Sequence, residues 1–473
     1  MIEFGNDNIQ QSARPGLFGL GSLGLGSLGL GCLSAGFLLC GLNTPLQAEE
    51  MVLSLEQAVE KALAHDPRIG EKQKLVGAAE GLVLEAEGSA DWIYDVNAFV
   101  ALAPSIRGDF YDSSGQYNRD SLDMTGVGPW FNVDFTAVKP LYTYGKIENY
   151  SRAARENVKI KKGDVNLARA NTYLDVTRAY YGYLTARDVA LLVEDALGKL
   201  DGAITLVDEW VETGKAKQSD KFALETGVAI ANRFLAEARG TEQVAMAGLK
   251  YLVGAKSEDT LRLADTQLKP VVMPDKTLPE LQLAALKNRP EMSQVEAGLS
   301  ARRALLDAKN SEFYPNIYGG LAGGFAYSPD RVSTEEVAVY DPFNKAGATP
   351  VLGVKWDLSS GAQKGKVAQA QAELDAVLEL KSIALQGIPF QVAERFHTVS
   401  ANDKMVKELY KAARSGRRWM ISTYADFEAG IEEADKVITA LQAYVLAHSE
   451  YLQVVNDYNV NVARLKVVTG EIQ

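Results

Sequence analysis

The side chains best suited to nucleophilic or transition-metal chemistry are few in this chain, three histidines and two cysteines, and GAQKGK is the segment nearest to a phosphate-binding motif. A zinc site or a Cys/His nucleophile pair needs several such groups at set spacings. His65, His397 and His448 are instead isolated in sequence. His448 falls on an apolar helical stripe, where it reads as a seam residue with one hydrogen bond; a ligand or a pH switch is the alternative. The segment GAQKGK at 361–366 is too short for a phosphate loop. Such a loop places four residues between its first Gly and the Gly-Lys, then Ser or Thr. Acid/base catalysis would need a cluster of titratable groups that the sequence does not assemble. We therefore expect no enzyme, no cofactor and no metal. What remains is an acidic run after Gly430: Ile431, Glu432, Glu433, Ala434, Asp435, then Lys436. On its own it reads as a solvated helix start, where acids suit the positive end of the helix dipole.

The elements that carry this run decide what else it could be. The 473 residues allow roughly two to four ordinary domains, or one elongated assembly built from a repeat. Acids outnumber bases 61 to 49, a net charge of −12. Nucleic-acid phosphates need basic groups to displace their counterions, so no nucleic-acid partner is expected. An apolar share of 47% excludes a wholly disordered chain, and a mean hydropathy of −0.10 excludes a bundle of membrane helices. From Pro15 to Ala48 no residue is charged. That stretch reads as a secretory leader, residues 1–48, cleaved after Ala48, with a retained anchor as the alternative. Cys32 and Cys40 both lie inside it, so cleavage leaves an exported chain without thiols.

The body is one unit written twice. Gly145, Gly214 and Gly254 recur as Gly361, Gly430 and Gly470, each pair 216 positions apart. Upstream, LEQAVEKALAHDP at 55–67 matches LPELQLAALKNRP at 278–290, with Pro67 and Pro290 223 apart. The division is 49–277 for the first repeat and 278–473 for the second. Within each, residues 55–88 and 279–312 read as Ala-rich helices that Pro67 and Pro290 split. Alternation follows. Tyr94, Val96, Ala98, Val100 and Leu102 oppose Asp95, Asn97, Phe99 and Ala101; Phe131, Val133, Phe135 and Ala137 oppose Asn132, Asp134 and Thr136. The second copy gives Leu321, Phe325 and Tyr327, then Leu352 and Val354 against Lys355. Period two means strands with one apolar and one polar face. Either they form a lipid-facing wall around a wet lumen, through Val96, Val133, Phe325 and Val354, or they cover a soluble core. Stretches 103–129 and 328–349 read as loops between paired strands.

After each strand pair comes a helix of up to 69 residues, turned at Gly214 or Gly430 into a return helix of about 40. Pro389 should kink or break the second long helix. In the last helix, Val437, Leu441, Tyr444, His448, Tyr451, Val455, Tyr458, Val462 and Leu465 follow four- and three-residue steps, a heptad seam. Four strands cannot close a membrane barrel, and open edges in lipid cost several kcal/mol per amide, so the chain needs copies of itself.

In this order, twice, the motifs are specific. LSLEQAVEKALAHDP, PLYTYGKIENYSRAAREN, WDLSSGAQKGKVAQAQAEL, TGKAKQSDKFALETG, AGIEEADKVITALQAY and DYNVNVARLKVVTG resemble the TolC-like outer-membrane efflux protein family from Leu53 to Gly470. The resemblance implies a membrane β-barrel joined to a long α-helical barrel. It implies a homotrimer sharing twelve strands in outer-membrane lipid, with a coiled-coil tunnel in the periplasm. It implies a passive exit duct for efflux or secretion, docked to a periplasmic adaptor protein and an inner-membrane transporter. Residues 255–278 with the C-terminus would form a belt around the tunnel. The gate would lie at the hairpin turns, with Gly214, Asp220 and Gly430 there or at the adaptor contact. The family's two acidic ring positions hold Lys436 and Thr439 here, and its Tyr and Arg latch positions hold Phe427 and Glu432. The collar would instead be three copies of Glu432, Glu433 and Asp435, partly neutralised by Lys436, drawing cations. The competing function is a soluble periplasmic coiled-coil scaffold or adaptor, which has no need of strands with aromatic residues on one face.

Overall fold

The computed structural model describes residues 50–109, 111–117, 119–256, 258–332 and 341–472; the leader read in residues 1–48 lies outside them. The chain begins with β1 (Glu50–Leu53), α1 (Leu55–His65) and α2 (Pro67–Gly88). Strands β2 (Ile93–Pro104) and β3 (Val127–Tyr142) lead into α3 (Lys146–Glu212) and α4 (Gln218–Val253). Then come β4 (Thr260–Leu263), α5 (Leu278–Asn288) and α6 (Pro290–Ser311). Strands β5 (Asn316–Tyr327) and β6 (Lys345–Lys355) precede α7 (Ser360–Glu428) and α8 (Ala434–Val468).

Matching caps start the short helices. Ser54 Oγ accepts from the Gln57 amide while Gln57 Oε1 accepts from the Ser54 amide, at 3.3 and 3.0 Å. Thr277 and Glu280, 223 positions on, form the same reciprocal box. Pro67 and Pro290 split these segments as expected. Each is the first residue of a new helix, where a missing N–H costs nothing. Asp66 caps α2 and ties it to α3: it accepts from the Arg68 amide and guanidinium and from Thr172 Oγ1, while Arg68 also reaches Asp175 at 2.9 Å. Burial pushes the Asp66 carboxyl up, but its hydrogen bonds with Arg68 and Thr172 together outweigh it and bring it to about 2.

Helix α3 runs 67 residues and α7 69, about 100 Å each at 1.5 Å per residue. Of the kink or break expected at Pro389, the break does not occur: α7 continues through it, and Gln282 Nε2 on α5 donates to the Pro389 carbonyl at 3.0 Å. Gly361 also differs from its counterpart. Gly145 adopts φ +80 before α3, whereas Gly361 lies inside the first turn of α7, because Ser359 supplies the N-cap position. The seam of α8 faces inward as its spacing predicts: Val437, Leu441, Tyr444, Val455, Tyr458, Val462 and Leu465 are all buried. Two apolar clusters result. One lies midway along the helices, around Tyr180, Leu184, Val392, Val399 and Val455; the other lies toward the hairpin turns, around Val207, Leu224, Phe427 and Val437.

The four long strands form one antiparallel sheet in the order β2-β3-β5-β6. Strand β6 begins at Lys345, inside the stretch read as a loop, because small residues (Ala346, Gly347, Ala348) pair across β5 without an apolar alternation to announce them. A second, two-stranded sheet pairs β1 with β4 in parallel, a contact with no sequence signal.

Candidate functional site

Both hairpin turns use one backbone device. At the end of α3 the Lys215 amide donates to the Trp210 carbonyl at 2.7 Å and the Gly214 amide to Val211 at 3.1 Å. At the end of α7 Ile431 donates to Asp426 at 2.9 Å and Gly430 to Phe427 at 2.8 Å. This paired closure needs a left-handed residue just past the helix, and both glycines have φ +73. The starts of the return helices differ. Asp220 Oδ2 accepts from the Lys217 amide at 3.1 Å, capping α4. Its counterpart 216 positions on is Lys436, so α8 lacks that cap.

Glu432, Glu433, Asp435 and Lys436 are all exposed at this end of α8. Glu433 is its N-cap residue, with no side-chain hydrogen bond to the cap. Three carboxylates and one ammonium thus share four of five consecutive positions, a local charge of −2 per chain. Phe427 sits elsewhere. It is 1% exposed, packed against Trp210 with ring centroids 5.0 Å apart and against Tyr424 at 6.4 Å. Its place is the core of the hairpin tip, so the expectation of a gate residue exposed to a passage does not hold for it.

The long sheet carries the other site. Register pairs Val96 with Phe135, Val133 with Phe325, and Val354 with Ile317. Directly paired residues share a face, so the four residues read as lipid-facing lie on one side of one sheet. Tyr94, Val100, Leu102, Phe131, Leu321 and Leu352 join them there, all exposed. The opposite face holds the charged and amide side chains, together with Phe99 and Trp130, which pack edge to face at 5.1 Å. Asn97 donates to Asp95 at 2.9 Å, and Lys345 pairs with Asp134 across two strands at 2.9 Å. Among the described residues no helix is long and apolar enough to cross a membrane, and no group of three or more His, Cys, Asp or Glu is placed to hold a metal ion.

Two more features stand out, the first outside the sequence reading and the second within the stretch 255–278 expected to form a belt. Where the sheet meets the helices, Tyr144 packs edge to face with Tyr142 and stacks on Tyr314, with centroids 4.6 and 4.9 Å apart. Trp92 stacks on Tyr94, and Trp356 Nε1 donates to the Phe313 carbonyl at 3.0 Å. These rings form an amphipathic band at one end of the apolar face. Their signal was present as aromatic residues flanking each strand. The second feature is a strap, residues 264–276, drawn across α3 and α8. Tyr180 donates to Asp265 at 2.7 Å, and Asp188 accepts from the Leu268 amide at 2.8 Å. Asn459, 1% exposed, accepts from the Val271 amide at 2.9 Å and donates to the Lys269 carbonyl at 2.8 Å.

Residues 282–471 match the sequence model of the family described as outer membrane efflux protein. The solved outer membrane channel CmeC of Campylobacter jejuni superposes with a TM-score of 0.72 at 14% identity, covering 88% of this chain and 85% of that one. MtrE of Neisseria gonorrhoeae, an outer membrane channel solved in its open state, gives 0.71 at 17% identity, covering 88% of each chain. The outer membrane protein VceC of Vibrio cholerae gives 0.69 at 14%, covering 88% and 96%. At these identities the likeness is one of fold. No curated protein sequence matches the chain.

Proposed function

We propose that this chain, which by residues 282–471 belongs to the outer membrane efflux protein family, is one third of a passive exit duct. The observation that carries this is the continuous apolar face across four strands in register, backed by a face that carries Asp95, Asn97, Asn132, Asp134 and Lys345. Among the described residues, its two edge strands, β2 and β6, have no partner on their outer sides. In lipid such edges must be paired, and three copies joined β6 to β2 would close twelve strands. A strand of 12 residues is about 40 Å long, which at a tilt of about 45° spans roughly 28 Å, close to a hydrocarbon core. The aromatic band then sits at one membrane surface. The leader, residues 1–48, serves export, and residues 49–277 and 278–473 each supply two strands and one long helical hairpin.

Below the sheet, three pairs of hairpins make a tunnel whose free end lies at Gly214 and Gly430. There Glu432, Glu433, Asp435 and Lys436 ring the entrance with a charge of about −6, which concentrates cations. Gly214, Asp220 and Gly430 mark the surface offered to a periplasmic adaptor, and through it to an inner-membrane transporter that supplies the energy. The purified particle in a planar bilayer tests the duct: stable single-channel currents are expected, and a particle that inserts without conducting would refute an open path.

A further inference from the structure

The chain carries a net charge of −12, yet one cleft in its helical layer is positive. It has a volume of about 480 Å³ and is lined by Arg178 and Gly182 of α3, Asn402 of α7, and Asp457, Asn461 and Arg464 of α8, among others. Its side of the layer follows from helix geometry. Tyr180 and Asn459 both reach the strap. Arg178 and Gly182 stand two residues either side of Tyr180, and Asp457 and Asn461 two residues either side of Asn459. Two residues turn a helix by about 200°, so the cleft opens away from the strap. Extended chain crossing the inside of a ring of helices would obstruct it, so the strap lies outside and the cleft faces the lumen. That last step rests on the duct reading.

The charges in the cleft are poorly compensated. Arg464 is half-buried and, among the described residues, donates only to neutral Asn461 Oδ1, at 3.2 Å. Burial, then repulsion from Arg178 and Arg395, outweighs the attraction of Asp457 and holds its guanidinium below the ordinary value. Arg178 meets Asp175 at 3.5 Å, but Arg68 holds that carboxylate more closely, at 2.9 Å. Arg395 has Glu394 at 3.7 Å. Asp457, the one acid lining the cleft, is engaged through Oδ1 by Gln453 and Asn456, each at 3.2 Å. Two guanidiniums from different helices, with the amides of Asn402 and Asn461 beside them, make a donor set for a planar or tetrahedral oxyanion.

We propose that this cleft binds an oxyanion, a carboxylate or phosphate group carried by the molecule that passes along the duct, with Arg178 and Arg464 as its charged partners. The test uses the full assembled particle in detergent at low salt, with citrate as the probe. By equilibrium dialysis the unaltered protein binds citrate, Arg464→Gln binds about tenfold more weakly or worse, and Asp457→Asn binds more tightly. Where Arg464→Gln fails to assemble, Arg178→Gln carries the same expectation from the exposed side of the cleft. Binding by Arg178→Gln/Arg464→Gln equal to that of the unaltered protein overturns the site. A second arm places the particle in a planar bilayer, where citrate should reduce the current, and about tenfold more should be needed for Arg464→Gln. Citrate that binds in dialysis without altering the current assigns the cleft to a free anion off the path and overturns the passing-molecule part. If the unaltered particle carries no current at all, the duct fails, while dialysis still decides the cleft.

Discussion

Replacing Asn459 by alanine should unlatch the strap from the helical layer. Its side chain holds two groups of the strap at once: the Val271 amide at 2.9 Å and the Lys269 carbonyl at 2.8 Å. A buried group left without its partner costs about 1–3 kcal/mol. Both strap groups are only partly buried, so each loss falls near the lower bound, and the pair amounts to about 2 kcal/mol. That is close to a 30-fold change in a local opening equilibrium. Amide hydrogen exchange reads it directly, because opening of the strap exposes Val271. The Asn459→Ala particle should lose about 30-fold in protection at Val271 and at Leu268, whose amide Asp188 holds from α3. Asn459→Asp keeps the acceptor and should retain protection at Val271 while weakening the contact to Lys269. Gln453→Ala, on the exposed face of the same helix, should leave the strap unchanged. Unchanged exchange at Val271 in Asn459→Ala would refute the latch.

Three other outcomes follow from the same geometry. Lysine at Val133 or Phe325, directly paired on the apolar face, should cost about 2–4 kcal/mol of insertion each and remove the protein from the outer-membrane fraction; unimpaired insertion would place that face away from lipid. Changing Glu432 and Glu433 to Gln and Asp435 to Asn should lower cation over anion permeability, read as a reversal potential moving toward zero in a KCl gradient. The collar is abandoned if the potential stays put. Asp66 titrates lower in the folded protein than in the unfolded one, so its stabilisation is complete above its ordinary value near 3.8 and is lost as pH falls through about 2. The gap in thermal midpoint between the unaltered protein and Asp66→Asn should therefore be constant near neutrality and close as pH falls from about 4 toward 2; a gap independent of pH would exclude the carboxylate as its source.

The legible parts of the sequence were those with a long period or an unambiguous local rule. The seam from Val437 to Leu465 repeats enough times to fix which side of α8 is buried. Gly214 and Gly430 close helices in a way that few residues other than glycine allow, so the turns were visible to the residue. The alternating strands fixed a face, and register then joined the faces of four strands. Less was visible where structure depends on distant partners. Strands β1 and β4 are four residues each and lie over 200 positions apart, too short for periodicity and too far for a turn signal. The strap has no repeating pattern because side chains of α3 and α8 hold it. At the hairpin tip, Phe427 occupies a latch position of the family, but burial against Trp210 decides its role, and that neighbour comes from the other repeat. The positive cleft is lined from three helices, and its two arginines, Arg178 and Arg464, stand 286 positions apart.

The central claim is that three copies share one barrel. Light scattering, with detergent mass subtracted, on the particle extracted mildly from separated outer membranes tests it most directly. The account predicts the mass of three chains, recovered from that membrane only with detergent. A monomer or dimer, or a particle released in the soluble periplasmic fraction without detergent, would contradict the shared barrel and return the chain to a coiled-coil scaffold.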